Sequence, residues 1–277
     1  MLPTLSLERV RPVWSRWRPT LHYLMETEAH VYALAISASV LLAFYPFVMV
    51  MISLCRDVLH WPAAEQAISL ALKDFFAGEQ GDFIVRNLYA YSIPKLHLTS
   101  MLLLLFTANG IFEPLEVALN RAWGVTQNRS YVKNQAVSLG LIFACGCLGL
   151  VSLMLTALGS QLAPDSGWMA DFMQSMFFKM AAVPVSILAL FLVYWLLPNR
   201  KVDPKRVAPV AILVGLALEA FKYVNLLVAP LLSTKFNNEY KVFRHSVTII
   251  VLSFVAALIV LAGAHWTANH EKQDPLS

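Results

Sequence analysis

Glu219 and Lys222 stand three residues apart inside Val207–Leu232, a run otherwise built mostly from Ala, Val, Leu and Ile and long enough to cross a bilayer. Burying one charge at the centre of a membrane helix costs roughly 2.5–3.5 kcal/mol. A pair there needs a partner or a task. Residues i and i+3 share a helix face, so the carboxylate and the ammonium can meet each other or a common ligand. Ala211 and Gly215 extend that face upstream, and small residues let a second helix approach closely. The stripe therefore points into a bundle or a cavity. It serves a transported cargo or it locks helix packing, and the residues alone leave both readings open.

A second stripe runs Asn109, Glu113, Glu116, Asn120 at steps of four, three and four, again one helix face. Gly110 and Pro114 fall among them, so the backbone there can bend. Two readings compete. The stripe lines a polar route, with Glu113 and Glu116 as an ion-coupling pair, or it is a salt-bridged helix end beside Arg121 and Arg129. A third group interleaves Arg9, Arg11, Arg16 and Arg18 with Trp14 and Trp17. That mixture suits anchoring at the headgroups of anionic lipid, with an unstructured basic tail as the plain alternative. Topology explains these arginines without a nucleic-acid partner.

The elements that must position these residues follow from composition. The chain is 58% hydrophobic and 14% charged, with mean hydropathy +0.62, against about 45–50% and about 25% in soluble domains. It is read as an all-α polytopic membrane bundle with six transmembrane helices. These lie near Val31–Leu54, Leu96–Leu119, Ala136–Gln161, Met176–Leu197, Val207–Leu232 and Ser246–Trp266. Residues 1–29 form a basic amphipathic N-terminal segment, 30–266 the transmembrane domain and 267–277 a tail. Residues 55–95 form an outer-face cap of amphipathic helices within that domain. In Trp61–Tyr91, one apolar face carries Ile68, Leu72, Phe75 and Phe76, and another carries Ile84, Val85 and Leu88. Gly78 and Gly81 suit a turn between them.

With a cytoplasmic N-terminus, twelve Lys and Arg lie inside and eight outside, which favours both termini in the cytoplasm. The compact basic turn Asn199–Arg206 supplies much of that bias. The first 20 residues hold charges and prolines but no apolar core, so no cleavable signal peptide is expected. Cys55, Cys145 and Cys147 are the only cysteines. The Cys-x-Cys pair falls on different helix faces, which argues against a disulfide framework or a zinc site. Tyr240, Arg244 and His245 open the last run and His265 closes it; lone histidines there, like His22 and His30, read as interfacial anchors. No catalytic or metal motif occurs, so neither enzyme activity nor a cofactor is expected.

Three local patterns then resemble the YihY/BrkB family of bacterial inner-membrane proteins over roughly residues 20–266. The first is Ala43-Phe44-Tyr45-Pro46-Phe47, similar to its aromatic-Pro signature. The second runs from Glu116 through Leu119 and Asn120 to Trp123, like its aliphatic-Leu-Asn-x-x-Trp motif. The third begins at Leu197-Pro198-Asn199, passes through the basic turn, and reaches Gly215, Glu219, Lys222 and Tyr223. The chain departs from the family at Phe243-Arg244-His245, where Tyr-Gly is usual. The resemblance implies an inner-membrane protein linked to envelope or virulence phenotypes, with a solute or lipid as cargo. Members once carried a ribonuclease label now regarded as mistaken. The alternative is a non-transporting scaffold for envelope assembly. Membrane lipids are its expected surroundings.

Overall fold

The computed structural model describes residues 10–25, 27–76, 79–90, 98–125, 129–161 and 168–273. Every regular element among them is helical. Helix α1 spans Val10–Met25, α2 Thr27–Ser53, α3 Pro62–Phe75, α4 Glu79–Ala90 and α5 Leu98–Ala122. They are followed by α6 at Tyr131–Gln161, α7 at Trp168–Leu196, α8 at Pro204–Tyr240 and α9 at Arg244–Gln273. Local chemistry sets several of these boundaries. Pro62 and Pro204 stand at first-turn positions, where a missing N–H costs nothing. The Asp203 carboxylate caps α8 by accepting from the Lys205 N–H at 3.0 Å.

The expectation of six transmembrane helices is corrected to four. Among the described residues, the helices long and apolar enough to cross a membrane lie at Glu28–Val58, Val132–Ser152, Pro204–Leu232 and Thr234–Ala268. Two of the expected runs drop out. Leu98–Ala122 is helical, but its second half carries Asn109, Glu113, Glu116, Asn120 and Arg121. In α7, which runs over Trp168–Leu196, the apolar stretch found among the described residues is Val183–Leu196.

Helix α2 packs on α5 and α9, α6 on α7, and α8 on both α7 and α9. One core joins Leu119, Trp123, Tyr194, Leu197, Val210 and Leu261 across these helices. A second gathers Ile52, Cys55, Ile68, Phe76, Ile84 and Leu252, where α3 and α4 meet the end of α2 and the start of α9. The two-helix cap read from the sequence is therefore helical and packed on the bundle. Ile84 and Leu88 are buried as their spacing required, whereas Phe75 remains exposed.

Gly81 has a different task from the one expected. It lies within α4, and a Cβ built there would sit 2.5 Å from the Phe76 carbonyl oxygen and 2.8 Å from the Lys73 Cα. Backbone cannot yield at such a distance, so glycine is required for close approach of the two helices. Gly78 lies outside the described residues. Lys73 pairs with Asp82 at 2.7 Å across the same hairpin. That hydrogen bond and the ammonium charge hold the Asp82 carboxyl below the usual carboxylate range.

Candidate functional site

Helix α8 brings Glu219 and Lys222 together as its i, i+3 spacing demands: the Lys222 ammonium donates to the Glu219 carboxylate. Both side chains are about two-thirds buried, at 29% and 31% relative exposure. The Lys222 Nζ also lies 5.1 Å from the centre of the Tyr223 ring, within range for a cation–π contact. No hydrogen bond links the pair to another helix among the described residues. Upstream, Ala211 is fully buried. A Cβ on Gly215 would meet Ile187 Cγ1 of α7 at 2.6 Å. The small residues thus do what their size allowed, and α7 closes against α8 just above the ion pair.

Asn225 lies one further turn along α8. It is buried, and its Nδ2 donates to the Phe75 carbonyl of α3 at 3.1 Å. Sequence reading passed over it, although an amide three residues beyond Lys222 in an apolar helix was a signal. Neighbouring bonds tie the cap to the same region. Gln80 donates to Thr248 at 3.2 Å within a buried contact. Phe83 stacks on His245 with ring centres 3.9 Å apart. Arg244 approaches Glu79 at 3.7 Å. Phe243-Arg244-His245, the departure from the family pattern, therefore supplies two of the cap's contacts.

The α5 stripe does not act as one unit. Glu113 is exposed, Glu116 and Asn120 are buried, and the Asn109 side chain lies outside the described residues. Neither nearby arginine pairs with these carboxylates. Arg121 instead bridges to Glu28 of α2 at 2.8 Å. Arg129 donates to the carbonyls of Leu196, Leu197 and Pro198, the last at 2.6 Å.

Asn120 is the centre of a clamp. Its Oδ1 accepts from the Asn199 N–H at 2.7 Å, and its Nδ2 donates to Glu116 at 3.4 Å. Trp123, one turn on, is buried beneath the Arg200 guanidinium at 5.4 Å. The end of α5 thus grips the Leu197-Pro198-Asn199 turn between α7 and α8. Glu116 Oε2 and both side-chain polar atoms of Asn199 are buried there without a hydrogen-bond partner among the described residues.

Replacing Asn120 by Ala removes the acceptor for Asn199 and the only donor to Glu116 among the described residues. We expect a loss of about 1–3 kcal/mol, the cost of stranding buried polar groups, read as a lower thermal midpoint in detergent. An unchanged midpoint would show that the turn is held elsewhere.

The anchor residues are placed only in part. Helix α1 carries Arg11, Trp14, Arg16, Trp17 and Arg18. Of these only the Arg18 side chain is described, and it is exposed; Arg9 lies outside the described residues. Cys145 is partly buried and Cys147 exposed, on separate faces of α6. No group of three or more His, Cys, Asp or Glu gathers to hold a metal among the described residues.

Two chambers lie elsewhere among the described helices. One of about 340 Å³ lies between α2, α3, α6 and α7. Another of about 230 Å³ lies between α2, α5 and α6. Neither is lined by Glu219, Lys222, Glu113, Glu116 or Asn120.

No curated protein and no solved structure matched the chain. The model of one protein family did, described as virulence factor BrkB, over residues 20–276. That family is non-catalytic, and its members are multi-pass proteins of the inner membrane. The match takes in α2 to α9, the Asn120–Trp123 clamp and the Glu219–Lys222 face, and by its extent the chain belongs to the BrkB virulence-factor family.

Proposed function

We propose that the protein moves a solute or lipid across the inner membrane, with the Glu219–Lys222 face of α8 as the point that cargo meets. One observation carries this reading: an ion pair two-thirds buried in a helix of spanning length. Ionisable groups are costly at such depth and mark pathways more often than packing. Lys222 offers an ammonium to an anionic cargo group, which would take the place of the Glu219 carboxylate. Glu113 is the exposed carboxylate of the α5 stripe, and Asn109 lies one helical turn before it. Glu116 and Asn120 contribute as the clamp that fixes the base of α8. Both termini are read as cytoplasmic from the compact basic turn Asn199–Arg206, which four spans place on the same side as both ends of the chain.

A scaffold reading has its own support. Glu219 and Lys222 bond to each other, and Glu116 and Asn120 bond within the protein. Thiol accessibility separates the two. In a background without Cys55, Cys145 and Cys147, single cysteines at Leu218, Glu219 and Lys222 are treated with a membrane-impermeant reagent. A translocation route lets water reach Glu219→Cys and Lys222→Cys in the folded protein. Protection of all three sites from both sides of the membrane would leave only the scaffold. In the same assay Ser277→Cys should react only after permeabilisation; reaction in intact cells would place the C-terminus outside.

A further inference from the structure

We infer that the chamber between α2, α3, α6 and α7 holds an acyl chain of a membrane lipid, which makes a lipid the cargo of the route proposed above. Its walls include Phe47, Met51, Leu72, Leu148 and Val185, and among the described lining residues the oxygen-bearing side chains are Ser152 and Ser186. The smaller chamber shares Phe47 and Cys145 with it, so the two adjoin along α2 and α6. Gly146 lines the smaller space and Gly149 the larger. A Cβ on either would meet nothing within 4 Å. The pair of glycines notches α6 where the chambers meet.

The medium around this site decides its occupant. Helices α2 and α6 are both of spanning length and composition. The chamber opens to the outside of the bundle at Phe47 and Ser186, which are exposed lining residues. On either side, Phe143, Val151 and Leu188 present large apolar side chains outward. The α2 and α6 walls, Phe47 to Met51 and Cys145 to Ser152, fall inside segments of spanning composition, whose outward faces meet hydrocarbon in a bilayer. Water gains too few hydrogen bonds in such a space, and apolar cavities far smaller than this one stay dry and bind hydrocarbon. A charged solute would find no counter-charge among the described lining residues. An acyl chain enters from its own phase without desolvation and restores the dispersion contacts that an unfilled wall forgoes. Continuity with the lipid-facing surface thus favours a chain over a second protein copy, whose side chains would have to be ordered to fit.

The proposal rests on the translocation reading only in naming the cargo, so its test separates the two. Full-length protein in vesicles of phosphatidylethanolamine and phosphatidylglycerol is photolysed with a phospholipid carrying a diazirine in its acyl chain. Labelled residues are then mapped by mass spectrometry. Met51, which is buried, and Leu148 should be labelled along with the outward Phe143. Filling the notch with Gly149→Leu, or with the more flexible Gly149→Met should the first variant fail to fold, should abolish labelling at Met51 and Leu148 and spare Phe143. Labelling at Phe143 alone, or equal loss at every site, would overturn the assignment. Chamber labelling with no movement of fluorescent lipid between leaflets of the same vesicles supports the bound chain and defeats the translocation reading. Lipid movement without chamber labelling defeats the bound chain and leaves translocation standing.

Discussion

Lys222→Met should impair accumulation and function more than the double variant Glu219→Gln, Lys222→Met. The single change leaves a carboxylate two-thirds buried in a spanning helix with its ammonium gone. A lone charge at mid-bilayer costs roughly 2.5–3.5 kcal/mol, and partial exposure lowers that figure here. The double variant removes both charges together, and a buried pair can be replaced by neutral groups at little cost in stability. Membrane-fraction abundance and thermal midpoint of the single and double variants would establish the order. If the double variant keeps its abundance but loses transport, the pair acts on cargo. If it keeps both, the pair is a packing device. A double variant worse than either single one in transport would show that each residue acts separately on what moves. Equal tolerance of all three changes would remove the pair from any role.

Gly263→Ala should destabilise the protein by about 1–3 kcal/mol, the range for overpacking a filled core. At this position α9 passes between α7 and α8. An added Cβ would lie 2.3 Å from Val214 Cγ2 and 2.9 Å from the Tyr194 hydroxyl. Neither neighbour can swing aside. Val214 is buried, and Tyr194 is held by donating to the Val260 carbonyl at 2.7 Å. Gly146→Ala on α6 is the matched control, because its Cβ meets open space. Thermal unfolding of both variants in one detergent checks the contrast. Equal midpoints would mean that the three-helix junction is slacker than its distances state.

Helix positions were legible because apolar period and length are local properties. The spacing of Ile84 and Leu88 fixed which side of α4 would be covered, and the i, i+3 step fixed that Glu219 and Lys222 would meet. The number of spanning helices was not legible. A run of spanning length was credited to Leu96–Leu119, whose second half carries a polar stripe, and to Met176–Leu197, and neither is among the four spans of the described residues. The α5 stripe also misled for a physical reason. Periodicity states that Asn109, Glu113, Glu116 and Asn120 share a face, but not what that face meets.

The sequence by itself determined the helical class, the family and the internal pairing on α8, since each depends on residues within a few turns of one another. Tertiary structure alone decided that Asn120 grips Asn199, that Asn225 reaches Phe75 and that Gly263 admits Val214 and Tyr194. It also decided that two chambers lie beside Gly146 and Gly149. Those contacts join residues distant in the chain through hydrogen bonds and packing. They depend on how whole helices cross, and no local spacing encodes a crossing.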